Sequence, residues 1–143
     1  MSRKAAAFYL PLLLLAAMPA LAEESAQYQN LLAPILQSSK TVLDQAIAYP
    51  AGTAKVTAAI VTIPPGGETG WHTHAVPLFV YILEGAVTVD YGDKGVKVYR
   101  AGEGILEAMD WPHDGKNLGD VPVKILAVYM GAEGATNTAA VPH

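Results

Sequence analysis

The residues best suited to chemistry are the histidines. The chain has four, His72, His74, His113 and His143. His72 and His74 are two apart in a run that reads as a strand, so their rings leave the same face. At a rise of about 3.3 Å per residue their Cα atoms stand about 6–7 Å apart. Imidazole nitrogens hold first-row metals at roughly 2.0–2.1 Å, and two rings tilting together span that gap. Glu68 has the same parity if the strand is regular, although Gly70 leaves room for a bulge. A His-x-His pair is equally the mark of a polar stripe on an exposed strand, and the pair alone does not decide.

The frame around the pair carries more information. Gly66 precedes His72-Thr-His74 with five residues between, and Gly85 closes the segment. Further along, Gly102, His113 and Asn117 repeat a second spacing. Together these segments resemble the two motifs of the cupin superfamily over roughly residues 54–130. The runs 64–74 and 81–89 resemble small bacterial single-domain cupins in detail. The resemblance implies an all-β fold, a single-domain cupin-type jelly-roll barrel. It also implies one divalent metal ion (Fe, Zn, Ni, Mn or Cu) on His72, His74 and His113, and a structural, turn-supporting Asn117.

Three positions depart from the family pattern. Leu78 stands where the family carries a glutamate ligand, and it cannot coordinate. Ala108 and Asp110 stand at the proline and glycine of the second motif, where the consequence is confined to a turn. Three neutral imidazoles leave a divalent site at formal charge +2, and open positions fall to water, substrate or another side chain. Glu107, six residues before His113, and Glu68 are the two carboxylates placed to substitute for the missing ligand or to serve as general base. Leu78 is expected to make the pocket wall apolar. Trp71 and Thr73 are expected to face away from the histidines, and Trp111 either lines a pocket mouth or covers the core. His143, at the tail, is set aside.

The elements that must position these residues are short. Candidate strands are 41–48, 54–63, 69–74, 77–84, 86–91, 95–100, 104–108, 112–117 and 122–131, separated by Gly, Pro and Asp. In 86–91, Val87 and Val89 share one face while Thr88 and Asp90 share the other. Many short strands without a long amphipathic helix point to a sandwich or barrel. The expected organisation is a cleaved leader 1–22, an N-terminal arm or short helix 23–40, the barrel 41–131 and a flexible tail 132–143. The leader reading rests on Arg3 and Lys4, an apolar run from Ala5, and Ala20-Leu21-Ala22 before Glu23, which is the layout of a signal peptide. It implies a periplasmic or secreted protein.

Composition narrows the partners. Without Arg3 and Lys4, seven basic side chains face thirteen acidic ones, a net charge near −6. No basic block exists, so nucleic acid is excluded as a partner, as is a membrane once the leader is gone. No cysteine is present, so there is neither a disulfide framework nor a thiolate metal site. Three functions stay open: a metal-dependent oxygenase, isomerase or hydrolase acting on a small organic molecule, a non-catalytic metal or ligand-binding barrel, and a purely structural barrel. A homodimer through sheet edges, with 25–48 as the packed element, fits the fold.

Overall fold

Alternation of apolar and polar side chains builds the architecture. The computed structural model describes residues 26–142. The leader 1–22 and His143 lie outside the described residues. Of the expected arm, Ala26–Gln29 forms one helical turn, α1, with Leu31 and Leu32 exposed just after it.

From residue 54 onward the regular structure is β, apart from one 3-10 turn at Gly92–Lys94. The strands are β1 (Ala54–Ile63), β2 (His72–Thr73), β3 (Leu78–Glu84), β4 (Ala86–Asp90), β5 (Val96–Arg100), β6 (Gly104–Leu106), β7 (Asp114–Lys116), β8 (Val123–Ala132) and β9 (Ala139–Ala140). A four-stranded sheet runs in the order β1-β8-β3-β6, and a three-stranded sheet in the order β5-β4-β7. All pairings are antiparallel. The inward faces of the two sheets share one core. Leu78, Val80 and Ile82 of β3 and Ile125 and Ala127 of β8 meet Val87 and Val89 of β4. Burying such side chains contributes roughly 1.5–3 kcal/mol each.

The expected strand 41–48 is not one. Asp44 takes φ +64, and the chain folds back so that the Thr41 amide donates to the Gln45 carbonyl. Only a single bridge, Lys40 to Ala46, remains of the pairing. The expected strand 69–74 shrinks to His72–Thr73, because Gly70 at φ +73 breaks the run.

The second motif keeps its backbone despite its substitutions. Asp110 stands at the glycine position and takes φ +50, a left-handed conformation that glycine adopts without strain. Its amide donates to the His74 carbonyl at 2.8 Å, tying the two motif segments together. Gly85 has a different constraint: at φ +75, a Cβ there would lie 3.0 Å from the Pro122 carbonyl oxygen. Asn117 is buried and fastens three chain segments. Its Nδ2 donates to the Ile63 and Val121 carbonyls, and its Oδ1 accepts from the Gly119 amide.

Candidate metal centre

Two backbone pairings bring the histidines together. The His72 and His113 amides each donate to the other's carbonyl at 3.0 Å, setting these residues directly opposite one another. His74 follows one residue after β2. The ring centroids then lie 4.8 Å apart for His72–His74, 4.4 Å for His72–His113 and 5.1 Å for His74–His113. One ligand nitrogen from each ring lies within 4.8 Å of the other two. Rotation of the rings toward one another would allow all three to reach one ion at the usual 2.0–2.1 Å.

Each ring is oriented by the main chain. Nδ1 of His72 donates to the Gly70 carbonyl at 2.7 Å, and Nδ1 of His113 to the Trp111 carbonyl at 2.8 Å. Nδ1 of His74 donates to the Asn137 carbonyl at 3.0 Å, with the Thr138 hydroxyl 3.1 Å away. A proton fixed on Nδ1 leaves the Nε2 lone pair as the donor on every ring. This is the outer support that metal-ligating histidines need. Burial pushes the His74 imidazole down to about 4, and burial also lowers His72, opposed by its bond to Gly70. Neutral rings at neutral pH are the form that coordinates.

The three rings line a cavity of about 490 Å³ inside the barrel. Leu78 is 4% exposed and forms part of its wall, so the family's carboxylate position is indeed apolar here. Glu107 also lines the cavity. Its Oε1 accepts from the Tyr91 hydroxyl and from the Ala108 amide, each at 2.7 Å, while Oε2 takes no hydrogen bond from the described residues. The Tyr99 hydroxyl sits 3.2 Å from that of Tyr91. Burial raises both phenols, Tyr99 to about 12, so both stay protonated.

The two carboxylates weighed from sequence therefore separate. Glu107 faces the cavity, whereas Glu68 is exposed, pairs with Lys116 only through a backbone β-bridge and does not line it. The parity argument for Glu68 assumed a straight strand, and the turn at Gly70 interrupts it. Buried Asp114 belongs to another contact, accepting from Thr69 and pairing with Lys116 at 3.4 Å.

Trp71 departs from expectation. It lines the same cavity as His72, because the chain before β2 does not follow strand alternation. Trp111 packs on the core with its Nε1 donating to the Tyr91 carbonyl, and it forms a second, smaller cleft with Trp71. The contribution of 137–141 carried no sequence signal. Alongside Asn137 and Thr138, β9 pairs with β2 and the Val141 amide donates to the Trp71 carbonyl. A run of small and polar residues supplies backbone groups there, and backbone groups leave no mark on composition.

Comparison with known families agrees with this geometry. The family model for the cupin domain matches residues 59–129, the stretch that contains all three histidines. The chain belongs to the cupin family. No curated protein matches this cupin. Solved structures similar to it include an oxalate decarboxylase of Lactobacillus farciminis in a formate complex. That match has 25% identity and a TM-score of 0.52, and it covers 64% of this chain and 27% of that one. An oxalate oxidase matches at 23% identity, covering 61% of this chain and 46% of that one, with a TM-score of 0.51. The DMSP lyase DddQ of Ruegeria pomeroyi matches at 20% identity, covering 60% and 43%, with a TM-score of 0.53. The cupin described here spans about a quarter of the decarboxylase and under half of the other two. The likeness is one of barrel fold.

Proposed function

We propose that this cupin holds one divalent metal ion on His72, His74 and His113 and acts through it on a small organic molecule. The observation that supports this most is that all three Nδ1 atoms are occupied by main-chain carbonyls, which leaves Nε2 free on three rings whose ligand atoms lie within 4.8 Å of one another beside a cavity. A bound divalent ion supplies Lewis acidity toward an oxygen of the ligand, or a place for oxygen to bind. Glu107 is the residue placed to accept a proton from the ligand, through the oxygen left free when Tyr91 and Ala108 hold the other. Glu68 has no such position.

Fe, Mn, Ni, Zn and Cu forms of the chain should each be screened for oxygenase, isomerase and hydrolase activity on small molecules. Turnover by one form, lost in His72→Ala, supports the reading. Absence of turnover in all five favours the second reading, a non-catalytic metal or small-ligand-binding barrel. Leu78 speaks for that alternative, because it removes the acidic ligand from the family's usual set. Oxalate, which names two of the similar structures, finds no lysine or arginine on this cavity wall among the described residues.

We also propose export and pairing. The leader 1–22 supports a periplasmic or secreted protein, and N-terminal sequencing of exported material should begin at Glu23. Among the described residues β1 is hydrogen-bonded on one side only, to β8, and it exposes Val56 and Ile60. An unpaired ten-residue edge favours a homodimer, with 25–48 as the second packed element. Sedimentation as a monomer at high concentration would contradict it.

A further inference from the structure

The wall of the cavity restricts what can be bound more sharply than the histidines do. It is built largely from aliphatic side chains, Leu78, Val80, Val87, Val89, Ile105 and Ile125 among them. No lysine, arginine, asparagine or glutamine among the described residues lines it. Several of its polar groups already serve one another. The Tyr99 hydroxyl meets Tyr91, the Thr138 hydroxyl reaches Tyr129, and Thr69 is bonded to Asp114. Asp114 in turn is balanced by Lys116.

Charge then decides between ligand classes. With neutral imidazoles and no carboxylate in the ligand set, a divalent ion brings +2 into the barrel. The Glu107 carboxylate, hydrogen-bonded by Tyr91 and Ala108, contributes −1. One further negative charge makes the cavity neutral. A second leaves a net anion among aliphatic side chains with no cation to pair it, which burial penalises by several kcal/mol. A neutral, heavily hydroxylated ligand is also poorly served, since beyond the metal and the free oxygen of Glu107 most of its hydroxyls would lose water against aliphatic side chains.

We infer that this cavity takes a monoanion with a single oxygen-donor head, a carboxylate or an enolate, on a hydrocarbon body. The inference rests on the three-histidine metal reading, which supplies the anchor for the head. The body lies against Leu78, Val80 and the valines of β4, and the volume of about 490 Å³ is in the range of small-molecule sites. Leu78 is then the specificity-determining residue. The side chain that costs the metal its acidic ligand also leaves the charge that selects a monoanion.

The test uses the full chain loaded with Co(II), read by its visible absorption bands and by calorimetric titration. The probes are acetate, butyrate, hexanoate and adipate, which has a carboxylate at each end of the six-carbon chain. Each probe should perturb the Co(II) bands in proportion to its binding. Affinity should rise about fourfold for each methylene buried, so that hexanoate exceeds acetate by of order a hundredfold. Adipate should bind at least tenfold more weakly than hexanoate. A flat chain-length series, or adipate equal to hexanoate, overturns the inference while leaving the metal reading intact. Failure of Co(II) to produce protein-dependent bands overturns the metal reading, and with it the anchor for the head. Leu78→Glu should weaken hexanoate at least tenfold more than Leu78→Gln does. Equal losses in the two variants would mean that bulk, not charge, sets the preference.

Discussion

The His74 imidazole is held by the main-chain carbonyl of Asn137, which lies 3.0 Å from its Nδ1 and sixty-three residues further along the chain. That bond fixes the ring's tautomer from outside the family-matched segment, which ends at residue 129. Removing residues 134–143 should therefore loosen metal binding without unfolding the two main sheets. A 10- to 100-fold loss of metal affinity is expected, the usual cost of removing an outer partner. Competition with a chromophoric chelator measures it, and unchanged affinity would show that Asn137 is dispensable.

His74 also couples pH to the stability of the metal-free protein. Its folded-state value of about 4 lies below the ordinary 6.5, so the unfolded chain binds the proton more readily between those values. Its contribution is present above pH 6.5 and is lost as pH falls toward 4, roughly 3 kcal/mol in all. Lowered His72 acts in the same direction. Urea melts of metal-free protein at pH 7 and pH 4.5, compared with His74→Gln, should show a smaller acid loss in the variant.

Glu107 carries two separable effects. Glu107→Gln keeps an oxygen for the Tyr91 hydroxyl and the Ala108 amide, so metal content and fold should persist. Any turnover that depends on its free oxygen should drop by 10²–10⁴. Glu107→Leu leaves the buried Ala108 amide without an acceptor and the Tyr91 hydroxyl with only that of Tyr99, and should cost about 1–3 kcal/mol in a denaturant melt. Equal stability of the two variants would contradict the hydrogen-bond account.

Asp110 stores strain that glycine would relieve. Asp110→Gly should raise stability by about 0.5–1 kcal/mol, measured by denaturant midpoint, because the left-handed backbone is already in place. A loss of stability would show that the aspartate side chain contributes more than its backbone costs.

Much of this was legible in the sequence because it depends on spacing. The strands β3, β4, β5 and the first half of β8 alternate in burial, and the positions of His72, His74 and His113 follow motif geometry. The failures share a physical cause, a local change of backbone direction. Gly70 and Asp44 take positive φ, and each ends the straight strand that parity arguments assumed, displacing Glu68 and the run 41–48. Tyr91, which the sequence marks only as the end of the strand 86–91, is fully buried and holds Glu107. Asn137 acts through its carbonyl, which any residue at that position would offer.

Elemental analysis of the purified chain beside His72→Ala is the direct test of the three-histidine site. Close to one divalent ion per chain is expected, lost in the variant. A wild-type chain with no metal, and no uptake on dialysis against Zn(II), Ni(II), Cu(II) or Fe(II), would contradict it.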